Sequence, residues 1–162
     1  MARILIRNCS IIDGTGTPRY NSNILVENDK IQAIGELCNV NAETILDADG
    51  LICSPGFIDT HTHSDGILLT EPQHANALLQ GVTTEILGQD GLSYAPLSKE
   101  KYLENRTYLS GILGLPPADL DMSSIESFRT HYHKKVSINT AYLIPHGAIR
   151  LNILGFHDKP LD

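Results

Sequence analysis

The pattern of apolar and polar positions changes character near residue 50. Before it, the β-favouring runs are short and broken by turns. "RILIRN" and "CSII" come first, then the turn cluster "DGTGTP", then "NILVE", "KIQAIG" and a last short run within "ETILDADG". "NILVE" and "KIQAIG" alternate apolar with polar and are joined by Asn28-Asp29. Both joint residues tolerate positive φ, so a tight hairpin is predicted there. These strands are too few to close a core by themselves and imply a small sheet packed on something larger.

From Leu51 onward the runs lengthen. "LICSPGFID" reads as a strand covered on both faces, and "GVTTEILG" and "VSINTAYLIPHG" as a second and third strand. Between them lie helical patterns. "EPQHANALLQ" carries Pro72 in its first turn, where proline is tolerated. "LSKEKYLENRTYLSGIL" has Ser98 as its N-cap. "SSIESFRTHYHKK" has Ser123 and Glu126 at capping-box spacing, with basic residues at its far end. Alternation of strand and helix predicts parallel βαβ units, hence an α/β fold. One such unit takes roughly 30 residues or more, and a closed eight-stranded barrel at least ~200–250. The chain therefore holds either a small open sheet or the first part of a barrel.

Composition narrows the partners. The chain has 162 residues, 41% of them hydrophobic, and a net charge of −7. No stretch of five or six basic residues is present, which argues against nucleic acid or an anionic membrane as a partner. The three cysteines, Cys9, Cys38 and Cys53, have no C-x-x-C spacing and an odd count, so a disulfide framework is not expected and a reducing compartment is. The N-terminus lacks the apolar block of a signal peptide, and no apolar run approaches the ~18 residues of a membrane helix. A soluble, cytoplasmic chain is expected.

The candidate chemistry sits where the runs end. In "PGFIDTHTH", His61 and His63 are two residues apart after an apolar strand. Alternate strand residues share a side, so both rings face one way, ~6.6 Å apart at ~3.3 Å per residue. That separation lets two imidazoles converge on one metal ion. Asp59 or Asp65 is placed to fix an imidazole tautomer from behind. Parallel-sheet enzymes put their chemistry at the carboxyl ends of strands, which is where this pair falls. Asp90, in "GVTTEILGQDGLSYAP", would stand on the same rim and could bind or bridge metal; a turn aspartate explains it equally well. In "LIPHGAIR", His146 ends the third strand, as a ligand, a substrate contact or a simple loop histidine, and Arg150 is suited to gripping a carboxylate. His74, His131, His133 and His157 read as surface residues.

The stretches "SIIDGTGTP", "PGFIDTHTH", "QGVTTEILGQDGLSYAP" and "IPHGAIR", in this order, resemble the N-terminal part of the amidohydrolase superfamily. Within it they are most similar to the N-acyl-D-amino-acid deacylases, the D-aminoacylase family. "PGFIDTHTH" is shared with dihydroorotases, hydantoinases and deaminases. The glycine-flanked stretch after the second strand and the later H-G-x-x-R narrow the likeness. It implies an incomplete TIM-like (β/α) barrel over 55–162, preceded by strands of a small β-sandwich over 1–54. It also implies one or two zinc ions, with metal ligands at His61, His63 and Asp90, and an N-acyl amino acid as substrate. His146 and Arg150 would contact that substrate. Relatives often carry a metal-binding cysteine in a "GNCG"-like stretch where this chain has Asp90 in "GQDG". The family's general base and remaining histidines lie on later strands that nothing here matches, so no catalytic base is assigned in this chain. The alternatives are a non-catalytic truncated or split product, associating with itself or with the missing C-terminal part, and a cyclic-amide hydrolase or deaminase of the same superfamily.

Overall fold

The computed structural model describes residues 2–160. It is a mixed α/β chain in two compact units, one up to Pro55 and one from Gly56 onward.

The first unit is a five-stranded sheet around β1 (Arg3–Ile11). β1 pairs antiparallel with β2 (Tyr20–Glu27) and parallel with β4 (Thr44–Asp47) and β5 (Ile52–Cys53), while β3 (Lys30–Gly35) pairs antiparallel with β2. "RILIRN" and "CSII" are one strand. A bulge between Ile6 and Cys9, with Asn8 at φ 61°, interrupts the alternation that makes them look separate. The bulge is satisfied locally: Asn8 N–H donates to Asn23 Oδ1 and its Nδ2 to Asp47 Oδ1, each at 3.0 Å. The Asn28-Asp29 hairpin forms as predicted, with Asn28 at φ 55° and Glu27 facing Lys30. Cys9, Ile11, Ile24 and Ala48 form the small buried cluster of this unit.

The second unit is a three-stranded parallel sheet in the order β6 (Phe57–Asp59), β7 (Val82–Leu87), β8 (Asn139–Tyr142). "LICSPGFID" is therefore not one strand. Ser54-Pro55-Gly56 breaks it, leaving β5 in the first sheet and β6 in the second. Nor is β6 covered on both faces, since Phe57 is 58% and Ile58 61% exposed. Leu87 on β7 is fully buried with Leu68, Tyr94, Tyr102, Leu113 and Phe128, so the main core lies between the sheet and the helices.

The helices are shorter than the sequence pattern implies. α1 (Ile67–Thr70) follows the histidine pair, in a stretch not read as helical. α2 is only Ala75–Leu78, because His74 enters it at φ 44°, and Pro72 is left in the preceding turn. The next pattern splits at Leu109 into α3 (Lys99–Tyr108) and α4 (Ser110–Leu113). Ser98 caps α3 as predicted, accepting from Lys101 N–H. Ser98→Ala is expected to cost about 1 kcal/mol, read as a lower urea midpoint at unchanged slope. α5 (Ile125–Tyr132) is capped one residue later than expected: Ser124 and Ser127 form the box in place of Ser123 and Glu126. His146 and Arg150 lie within α6 (His146–Leu154) and not at a strand end. Among the described residues no helix is long and apolar enough to cross a membrane.

Candidate metal centre

β6 ends at Asp59, so the two histidines stand in the bend beyond it. Asp59 makes that bend: its Oδ1 accepts the His61 backbone N–H at 3.0 Å. It serves the backbone and not an imidazole, unlike its expected part. Gln89 holds the same bend from β7's end, donating through Nε2 to the carbonyl oxygens of Thr60 and, at 3.1 Å, Ile86.

Asp90 arrives on a turn that depends on glycine. Gly88, Asp90 and Gly91 have φ of 80°, 56° and 75°. Aspartate tolerates this left-handed region better than most side chains, and glycine has no penalty there. Position 88 allows nothing larger, because a Cβ would fall 2.1 Å from the Leu143 carbonyl oxygen. Gly91 meets the start of α6 in the same way: a Cβ on Gly147 would lie 2.5 Å from the Gly91 oxygen.

The result is convergence. His61 Nε2 and His63 Nε2 each lie 3.2 Å from Asp90 Oδ2. The rings are nearly perpendicular, at 79°, with centroids 5.6 Å apart. Tetrahedral coordination with ~2.05 Å bonds sets donor atoms about 3.3 Å apart, so the two histidine-to-aspartate spacings suit a zinc ion. These three residues form a group whose donors all lie within 4.8 Å of one another. His61 and Asp90 are open to solvent, with side chains 60% and 58% exposed, and His63 is more enclosed at 29%.

Behind the donors lies a buried polar layer. Asp65 is fully buried, and Oδ1 accepts from Ser93 Oγ at 2.5 Å and Gly88 N–H at 3.2 Å. It thereby ties the histidine segment to the Asp90 turn. Burial pushes its carboxyl up to about 6, against the lowering pull of the Ser93 and backbone hydrogen bonds. It does not hydrogen-bond His63; Asp65 Oδ2 and His63 Nδ1 are both buried without a partner. Sequence reading missed Ser93 and Gln89, and also Glu85, Ser64 and the inward orientation of His74. Far from being a surface residue, His74 is 12% exposed and lies 2.8 Å from Glu85 Oε1. An acid in the middle of the apolar run "GVTTEILG" was the available signal, since a buried charge needs a partner. His131 is half-buried against the Asp121 carbonyl, while His133 and His157 are exposed. His146 is exposed at the start of α6, and Arg150 donates through Nη2 to the Lys159 carbonyl oxygen.

No protein-family model matches the chain. An N-acyl-D-aspartate deacylase from Alcaligenes xylosoxydans xylosoxydans is 30% identical over 94% of the chain. The structure of an N-acyl-D-glutamate deacylase from Bordetella bronchiseptica, complexed with zinc and a phosphonate inhibitor, superimposes with a TM-score of 0.80 at 33% identity over 93% of the chain. The chain is a relative of the N-acyl-D-amino-acid deacylases. A solved D-aminoacylase, described as having a binuclear metal centre, matches this deacylase relative with a TM-score of 0.69 at 31% identity, again over 93%. The deacylase relative spans about 30% of the length of the curated deacylases it matches and 31% of each of these two solved chains.

Proposed function

We propose that His61, His63 and Asp90 hold zinc, as one or two ions, in part of an amidohydrolase that cleaves the amide of N-acyl-D-amino acids. The observation that carries this is the meeting of both Nε2 atoms on one carboxylate oxygen, each at 3.2 Å. A bound zinc supplies Lewis acidity, polarising a carbonyl and making water a stronger acid. The more enclosed His63 anchors the site, while the exposed sides of His61 and Asp90 leave an approach for a small substrate. The parallel sheet β6-β7-β8 is proposed as part of a (β/α) barrel, and the first sheet as part of a small β-sandwich. His146 and Arg150 remain the proposed substrate contacts, reached through the Gly91–Gly147 contact that sets α6 against the Asp90 turn. Arg150 would release Lys159 to reach a substrate carboxylate.

The likeness to deacylases covers nearly the whole chain, which favours this reading over a cyclic-amide hydrolase or deaminase. Side-by-side assays of N-acyl-D-amino acids, hydantoin and dihydroorotate on a chain of the relatives' full length test that choice. For the 162 residues alone, zinc uptake without turnover of N-acetyl-D-amino acids is expected. Among the described residues the cluster that could hold the metal contains a single carboxylate, Asp90. With Asp90 engaged as a ligand, no second carboxylate stands in that cluster to take the part of the general base that amide hydrolysis requires. Robust hydrolysis by the zinc-loaded chain would overturn this expectation.

A further inference from the structure

Glu85 is an unusual residue for its place. It lies mid-strand on β7, only 3% exposed, on the same side as fully buried Leu87. A carboxylate in such a setting is costly unless hydrogen-bonded on both oxygens. Both are engaged. Oε2 accepts from Ser64 Oγ and Oε1 faces His74 Nε2 at 2.8 Å. Because a carboxylate only accepts, His74 carries its proton on Nε2 toward Glu85. Ser64 Oγ is also 3.0 Å from Thr62 Oγ1. Since Ser64 donates to Glu85, Thr62 donates to Ser64. The two residues flanking His63 are thus joined to each other and, through Ser64, to one anchor on the central strand. His74 reaches that anchor from a left-handed φ of 44°, a conformation a non-glycine residue keeps only when its surroundings hold it there.

We infer that Glu85 is a positioning residue for the candidate metal centre, acting through Ser64 and Thr62 to fix the segment that presents His63 before any ion arrives. The inference rests on the zinc reading of His61, His63 and Asp90. Groups that orient metal ligands from behind are worth about 10–100-fold in metal affinity.

The test measures zinc affinity by chelator competition on the 162-residue chain, for the parent, Glu85→Gln, Ser64→Ala and the double variant. Thermal melting in excess chelator is followed in parallel, and the visible spectrum of cobalt-loaded protein reports ligand geometry. Both single variants are expected to bind zinc about 10–100-fold more weakly and to shift the cobalt bands. The double variant should bind no more weakly than the worse single one, because both act along one path. Ser64→Ala, which removes a single hydroxyl, decides the matter if Glu85→Gln does not fold. Lowered melting with parental zinc affinity and spectrum would make Glu85 merely structural and overturn the inference alone. A parent chain that takes up no zinc would overturn the metal reading and this inference with it.

Discussion

Asp90→Ala is expected to weaken zinc binding by well over the ~100-fold upper range seen for residues that only support a metal ligand. Asp90 Oδ2 is the point on which both imidazoles converge, at 3.2 Å each. Alanine removes the only carboxylate of the cluster and with it the negative charge that offsets the cation. Asp59 and Asp65 lie outside the cluster of converging donors, and their Oδ1 atoms are engaged by the His61 backbone and by Gly88 and Ser93. Stability should fall only modestly, by about 1 kcal/mol: the side chain is 58% exposed, but alanine tolerates the left-handed φ of 56° less well than aspartate. Asp90→Cys is expected to retain binding, since a thiolate is a good zinc ligand, with Zn–S near ~2.3 Å. Chelator competition on the parent and both variants checks this. Unchanged affinity in Asp90→Ala would remove Asp90 from the site.

Gly88→Ala is expected to give the largest loss of stability, about 3–4 kcal/mol. Holding an L-residue at the observed φ of 80° costs roughly 1–2 kcal/mol. The rest comes from the new Cβ, which would lie 2.1 Å from the Leu143 carbonyl oxygen. That oxygen is backbone and cannot swing aside, so the end of β8 must move away from β7. The movement strains the Leu143 N–H to Leu87 carbonyl bond and the Gly88 N–H that Asp65 accepts. Urea denaturation should show the drop, and zinc affinity should fall with it, since Asp90 follows two residues later. An alanine variant as stable as the parent would mean that this turn is not built as described.

The histidine pair and Asp90 were legible because their signals are local: an i, i+2 spacing after an apolar run, and an acid between glycines. Their meeting was not local, since His63 and Asp90 are 27 positions apart and only adjacent parallel strands bring them together. The buried layer stayed hidden for a different reason. The acid in "GVTTEILG" signals that a partner is needed but does not say which, and His74 fits the helical pattern of "EPQHANALLQ" as a surface residue. What fixes both is their mutual hydrogen bond, a tertiary fact that overrides local propensity. The break of "LICSPGFID" had a signal in Pro55-Gly56, which outweighs apolar continuity. The cap of α5 was ambiguous by one position because Ser123 and Ser124 both suit it, and Ser127 chose between them.

The backbone-to-backbone seating of Gly91 on Gly147 leaves no slack between two turns that the chain places 56 positions apart. A side chain added at position 147 would press on the Gly91 oxygen, and the turn it would push aside is the one that carries Asp90.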